Sequence, residues 1–510
     1  MKFTKIDMAV LLCLFLLAYF LRVMFLPQGA LTFGYDQARD AMVTQQIISG
    51  DFKILGPPAS APGLYHGVFY YYFLVPAYSL SHNPLVAAYW TAFFNAATVV
   101  VVFYLTYLLT MKKGHAFLAA LFFAVSFESS QYATWLSNPT LAVWTVPLIY
   151  LGLWAWISEK KRWGPVLCAL GLGLSVQAEV FLLYHAVPVF IWVTVGRANV
   201  KFSDLAKFVG VFVLSVATMI LVEVKFGFRG IYGVLSLLAT HESVRVAKSL
   251  GDYLLLFLNQ AGKVFAYSSY PGNIGYGGVL VLVLIYLAMR SWKRGNISWQ
   301  PFLVTWLLSH ISVVSMGGTS TPFLLVGIGS AVSILVGIFA YEWWSSGQRL
   351  LALFLIVFVI WGNLSMIFSE NKHGQTIFSI QNEMTLSHEL DAISLTYELS
   401  GGERFSINTV TSPLWVNNVW AYLYNWYGRE RYGFVPEWVG KDQVGQLSNG
   451  MLGDASGKAQ KHFLIMEPLQ GIPPRFVNET LDEENSKYEL VDEMRLGEII
   501  VQERRIEDGK

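Results

Sequence analysis

The chain has 510 residues, 55% of them hydrophobic and 14% charged, with a mean hydropathy of +0.48. That charged fraction is far below the roughly one quarter of soluble domains, which excludes an ordinary soluble enzyme and indicates a polytopic membrane protein. A net charge of +1 gives no electrostatic case for nucleic acid, and the two cysteines, Cys13 and Cys168, fall in apolar runs without the spacing of a metal site or a disulfide.

In chain order, Met1 to Lys5 precede an apolar run at 7–26 that has the flanks of a signal peptide but no small-residue cleavage site, which predicts an uncleaved first span with a cytoplasmic N-terminus. Further runs at 85–110, 116–128, 139–157, 164–176, 180–196, 207–223, 276–291, 300–316, 322–341 and 348–368 bring the total to about eleven, several near the roughly 20 residues that cross a hydrocarbon core. The stretch HGVFYYYFLVPAYSLS (66–81) is short, tyrosine-rich and interrupted by Pro76. Read as a juxtamembrane helix, it leaves the basic loops at 111–115, 158–163, 196–201 and 290–295 on the side of Lys2 and Lys5, as the positive-inside rule requires. The runs 116–128 and 164–176 are short enough to be half-spans or tilted helices whose polar ends line a cavity.

With that parity, residues 27–84, 128–138 and about 224–275 face outward, the last as a basic, amphipathic, non-spanning loop. Residues 370–510 join them, with strands expected at 404–409, 461–468 and 497–503 and a helix at 388–399. The expected fold class is an α-helical polytopic membrane protein: a transmembrane module over 1–369, juxtamembrane helices in its first outer loop, and an extracytoplasmic soluble α/β domain over 370–510.

Charge is concentrated at the outer face. Asp36 stands where TFGY gives way to the helical stretch QARDAMVTQQIIS, which Gly50 should stop, and Arg39 and Asp40 follow one turn later on the same face. Two readings fit: an N-cap aspartate with a surface ion pair, or a general base held beside an anion-binding cation. The Pro-rich segment 54–67 walls a groove or is a plain loop, and it leads to His66 and the helix of Tyr70. In the second outer turn Asn138 before Pro139 suits an N-cap, whereas nothing local requires a carboxylate at Glu128. Gln177 and Glu179 interrupt two apolar segments, so Glu179 must be paired or wet, while His185 reads as a packing residue. Arg229, Arg245, Lys248 and Lys263 in the 225–265 stretch either meet lipid headgroups or clamp a lipid phosphate. The aromatic run 417–428 reads as domain core before glycan platform.

These parts suit a sugar joined through phosphate to a polyprenol. The departing phosphate is already an anion, so cations and hydrogen bonds are enough to stabilise it; the incoming hydroxyl needs one base, and a single displacement inverts the anomeric centre. YDQARDAMVTQQIISGDF, the Pro-rich loop after it and GVFYYYFLVPAYSLSHNPLVAAYWTAFFNAATVVVVFYLTYLL resemble the first outer loop and second span of the GT-C glycosyltransferases, in particular protein O-mannosyltransferases and the aminoarabinose transferase acting on lipid A. The SNPT turn and VQAEVFLLYHAVP are similar too, and the resemblance covers roughly residues 7–200.

The resemblance implies a catalytic acid at Asp36 with its partner at Arg39; together with the reading of the residues themselves it leaves Asp40, His66, Tyr70, Glu128, Asn138, Gln177, Glu179, Arg229, Arg245 and Lys248 as substrate-binding candidates. Relatives often carry Glu where this chain has Gln37, an aspartate where it has Asn138, and a phosphate-holding lysine near His66, so that lysine's role passes to His66 or to the basic stretch after 224. No cofactor is certain: the branch usually works without a metal, and no His/Cys/carboxylate cluster indicates a divalent ion. The implied partners are a polyprenyl-phosphate sugar, an acceptor lipid, glycan or protein, and the plasma-membrane bilayer, with no nucleic acid. A transporter or flippase of lipid-linked glycan is the alternative, although the related halves expected of one are not evident.

Overall fold

The apolar runs become helices in the computed structural model, which describes residues 4–59, 63–239, 249–270, 272–292, 297–314, 322–379, 381–441, 451–455 and 459–506. Helix α1 (Lys5–Val23) starts from a capping box in which Thr4 and Asp7 bond each other's backbone N–H. Then come α2 (Tyr35–Ile48), stopped at Ser49 and Gly50, and α3 (Phe69–Leu80), whose 12 residues are too few to cross. The hairpin α4 (Pro84–Thr110) and α5 (Lys113–Ala124) leads to the short α6 (Phe127–Ala133). Next are α7 (Ala142–Ile157), α8 (Gly164–Ala178), α9 (Ala186–Val195), and the pair α10 (Phe202–Ser215) and α11 (Ala217–Lys225), bent by 56°. The helical module closes with α12 (Arg229–Ala239), α13 (Leu250–Ser269), α14 (Ile274–Ser291), α15 (Trp299–Leu307), α16 (Pro322–Leu325), α17 (Ile328–Ser345) and α18 (Arg349–Glu370).

Among the described residues, six helices are long and apolar enough to cross a membrane, or seven if the bent pair is one span. The expected eleven runs therefore include several helices that stop early. A helix that stops inside a bundle leaves carbonyls unpaired. At the end of α5 the buried Arg22 takes them: it donates to Ala124 O (2.9 Å) and Phe123 O (3.3 Å), and also to Ala18 O (2.8 Å) and Asn95 Oδ1 (2.6 Å). A cation at a helix C-terminus is also favoured by the helix dipole.

One expectation is corrected. Residues 224–275 are not a surface loop throughout, because α13 packs along α14 and α17 within the bundle. The α13–α14 contact is made at glycines: a Cβ on Gly262 would overlap Ile274 O and stand 2.6 Å from Gly278 N. Polar residues on one face of α13, Gln260 and Lys263 among them, disguise it as amphipathic.

The C-terminal part folds as helix α19 (Leu386–Ser400), strand β1 (Phe405–Val410), α20 (Asn418–Leu423), α21 (Arg429–Tyr432), β2 (Glu437–Trp438), β3 (Lys461–Met466), α22 (Pro474–Lys487), β4 (Tyr488–Leu496) and β5 (Ile499–Ile506). The sheet order is β2-β1-β3-β5-β4, with β1 parallel to β2 and β3, and β5 antiparallel to β3 and β4. The three expected strands and the expected helix are present; β2 and β4 escaped the alternation rule, the first for its two residues and the second because it is a largely exposed edge. In the aromatic run, Trp420, Tyr422 and Tyr424 are buried in the core. A row of buried polar side chains supports the sheet: Ser406 Oγ lies 2.9 Å from His462 Nδ1, and His462 Nε2 2.8 Å from Glu484 Oε2.

This C-terminal part docks on the segment between α1 and α4. Leu386 N–H donates to Leu31 O (2.8 Å), Thr32 Oγ1 donates to Gly374 O (2.8 Å), and Tyr422 OH donates to His82 O (2.6 Å). Leu31, Phe33, Met42 and Tyr78 share one apolar core with Met384, Leu386, Trp420 and Tyr422.

Candidate active site

The geometry starts at the first turn of α2. Gly34 N–H donates to Gln37 Oε1 at 3.0 Å, and Gln37 Nε2 donates to Leu136 O at 3.1 Å. Gln37 therefore caps the helix and ties it to the second turn, so the N-cap reading of Asp36 does not hold. The Asp36 carboxylate instead accepts from Arg39 Nη1 at 2.6 Å, while Arg39 Nε and Nη2 both reach Asp40 Oδ1, at 2.9 and 2.7 Å. Side-chain exposure falls from 55% at Asp36 through 14% at Arg39 to 2% at Asp40, so Asp36 is the exposed member and Asp40 the buried anchor. Burial pushes the Asp40 carboxyl up to about 7 in spite of Arg39, and its Oδ2 has no hydrogen-bond partner among the described residues. Burial opposes the charge on Arg39, but Asp40 and Asp36 outweigh it and keep the guanidinium protonated.

Asp36 and Arg39 open onto a cavity of about 600 Å³ that His66, Glu128, Asn138 and Glu179 also line, with Gln260, Lys263 and Tyr267 from α13. Tyr132, Trp135, Ile377, Phe378 and Ser379 complete a wall shared by the second turn and the segment after α18. Phe378 stacks on Tyr132 at 4.3 Å between ring centroids and lies 5.1 Å from Trp135. Both short apolar runs thus end in cavity groups, α5 just before Glu128 and α8 just before Glu179.

Burial, then Arg39, brings His66 down to about 4, while burial raises Glu179 to about 8. Their 3.7 Å approach therefore joins two uncharged groups at neutral pH, and it exceeds hydrogen-bonding distance. His66 Nδ1 accepts from Val180 N–H (3.4 Å), so its second nitrogen carries the proton. A neutral His66 cannot supply a positive charge to the cavity; Lys263 lines the same cavity and can.

Four expected site residues lie elsewhere. Asp40 is behind Arg39, Tyr70 is packed in the core beside Phe73, and Arg229 is exposed at the start of α12. Gln177 is a clamp: its Oε1 accepts from Phe69 N–H (3.3 Å) and its Nε2 donates to Ser215 O (2.8 Å) and Thr218 Oγ1 (3.0 Å). Arg245 and Lys248 lie outside the described residues. Asn138 lines the cavity, but Ser137 holds the N-cap position and the Asn138 amide donates to Ala178 O, which fastens the second turn to α8. The Gln177 clamp requires a glycine opposite it, because a Cβ on Gly67 would overlap Gln177 Oε1 and stand 2.7 Å from its Cα. Gly67→Ala should destabilise the protein by about 1–3 kcal/mol through overpacking, read as a lowered Tm in detergent.

Sequence reading passed over Gln260 and the aromatic wall, and it set Lys263 in a loop. Their only local signal was polar residues recurring on one face of an otherwise apolar stretch. Among the described residues, no group of three or more His, Cys, Asp or Glu side chains is placed to hold a metal ion.

No protein family and no curated protein matches this sequence. Among solved structures, ArnT from Cupriavidus metallidurans bound to undecaprenyl phosphate is similar at a TM-score of 0.58 and 13% identity, with 97% of each chain covered. The apo state of ArnT is similar at a TM-score of 0.55 and 14% identity, again over 97% of each chain. This chain therefore has the fold of ArnT over nearly its whole length, and its apolar helices make it a multi-pass membrane protein.

Proposed function

We propose that the protein transfers a sugar, with inversion, from a polyprenyl-phosphate donor to an acceptor hydroxyl at the outer face of the plasma membrane. One observation carries this reading: an exposed carboxylate, Asp36, sits at a cavity and is hydrogen-bonded at 2.6 Å to a guanidinium that Asp40 anchors from behind. Asp36 takes the proton of the attacking hydroxyl. Arg39 and Lys263 stabilise the leaving phosphate, which already carries negative charge and needs no acid. ArnT is a crystal structure with undecaprenyl phosphate, and the shared fold supports a lipid phosphate as leaving group here.

The orientation rests on charge. Lys112 and Lys113 stand at the start of α5, and Lys160, Lys161 and Arg162 separate α7 from α8, so these turns lie at the end of the bundle remote from Glu128 and Glu179. By the positive-inside rule that end is cytoplasmic, and the cavity with residues 370–510 is extracytoplasmic. Residues 370–510 then belong to the enzyme, with Ile377, Phe378 and Ser379 as part of its wall.

Purified protein given polyprenyl-phosphate sugars and an extract of envelope acceptors should release polyprenyl phosphate in step with glycoside formation. NMR of the product should show the anomer opposite to that of the donor. A retained anomer, or sugar-lipid flux across sealed vesicles without a new glycosidic bond, would replace this reading with another mechanism or with a flippase.

A further inference from the structure

A buried polar network in the helical module converges on one short segment, residues 123–131. Arg22 holds the carbonyls of Phe123 and Ala124, and Asn95, which accepts from Arg22, donates through Nδ2 to Ser129 O at 3.0 Å. Asn363 of α18 accepts from Phe127 N–H at 2.9 Å, and Asn371 donates to Ser130 Oγ at 2.9 Å and accepts from Gln131 Nε2 at 2.7 Å. A guanidinium with no carboxylate partner among the described residues and four buried amides are costly to place in an apolar bundle, since each demands complete satisfaction. What they fix is the start of α6, and with it the direction of Glu128.

That side chain is held on one side only. Ser268 Oγ donates to Glu128 Oε2 at 2.7 Å, and a Cβ on Gly329 would overlap the same oxygen and stand 2.6 Å from Ser268 Oγ. Glu128 Oε1 has no protein partner among the described residues, and the side chain lines the cavity. Burial raises the carboxyl to about 8, so at neutral pH it is mostly protonated and can donate as well as accept a hydrogen bond, while Asp36 stands at the exposed rim. Four residues along, on the same helical face, Tyr132 lines the cavity with Trp135 and Phe378 stacked around it. A carboxyl oxygen beside an aromatic face is the chemistry that binds a pyranose: the ring C–H face packs on the aromatics and the hydroxyls bond the carboxyl.

We infer that the α6 wall is the sugar subsite of the donor, with Glu128 bonding a ring hydroxyl and Tyr132, Trp135 and Phe378 receiving the C–H face. The inference rests on the reading of the protein as a lipid-linked sugar transferase and adds which wall reads the sugar. Asp36, at the exposed rim, is then left for the acceptor. Arg22, Asn95 and Asn363 act through Glu128 as positioning residues.

The test is equilibrium binding to the full-length protein in nanodiscs. The probes are undecaprenyl phosphate, undecaprenyl-phosphate glucose and undecaprenyl-phosphate arabinose, with wild type, Glu128→Gln, Gly329→Ala and Tyr132→Leu. Wild type should hold at least one sugar lipid more tightly than bare undecaprenyl phosphate. Each variant should lose about 10–100-fold for that sugar lipid, the value of one or two hydrogen bonds to a charged or polar partner, and keep its affinity for undecaprenyl phosphate. Equal losses for both lipids, unchanged discrimination in the Glu128→Gln protein, or a wild type that never favours a sugar lipid would overturn the subsite. Failure of transfer with the discrimination intact would instead overturn the catalytic reading and leave the subsite standing.

Discussion

Asp36→Asn should reduce sugar transfer by about 10³–10⁴-fold while leaving the fold and lipid-phosphate binding unchanged, the upper range for a general base. The separation of chemistry from stability follows from the first turn of α2. Gln37 and Gly34 cap that helix and Asp36 does not, so removal of its charge costs no backbone bond. The amide is nearly isosteric and can still accept from Arg39 Nη1, so the guanidinium keeps its place. An exposed position of this kind normally changes stability by less than about 0.5 kcal/mol. Initial rates, Tm and binding of undecaprenyl phosphate, measured on one preparation, separate the two effects. Near-normal turnover with an unshifted Tm would remove Asp36 from the mechanism.

Arg39 should be less forgiving, because it serves the fold and the site together. Arg39→Ala leaves Asp40 buried with neither of its two charged donors, and breaking such a pair from one side costs about 3–5 kcal/mol. Activity should fall by at least about 10²-fold from loss of a phosphate-binding, Asp36-orienting group. Arg39→Lys keeps the charge, but one ammonium cannot reproduce three N–H bonds set in a plane, and it should recover stability better than rate. The decisive variant is Arg39→Ala with Asp40→Asn. Removal of the stranded carboxylate should restore most of the lost Tm and none of the lost kcat/KM. Parallel recovery of both would show that Arg39 acts on transfer only by holding the fold.

Some of this was legible in the chain itself, and particular residues show why. The ion pairs of Asp36, Arg39 and Asp40 are local: all three lie within one and a half turns, so helical spacing alone brought them together. The lack of any local need for Glu128 was legible for the same reason, as was the stop at Gly50. Gln37 was different. Its side chain joins Gly34 to Leu136, a partner 99 residues away, and no spacing rule reports such a bond. Asn138 read locally as an N-cap and Gln177 as a polar break between apolar segments, and neither reading could report that both amides donate to backbone carbonyls of neighbouring helices. Lys263 was misplaced because its helix turns a polar face to a cavity, and to a hydropathy scale that face is indistinguishable from one turned to water.

By itself, then, the sequence determined the solvent each segment prefers and the period with which its side chains repeat: apolar helices, a C-terminal part of strands and helices, and an acid–guanidinium pair on one helical face. Tertiary structure decided which of the early-ending helices meet, and so which groups share a cavity. Ser268 reaches Glu128 across 140 residues, and Gln131 accepts from Ile377 N–H across 246. The reason is physical. Helix formation and burial are governed by neighbours within a turn or two, whereas the walls of a cavity are set by the mutual packing of elements distant in the chain, where one glycine such as Gly329 or one cap such as Arg22 decides the direction of a carboxyl group.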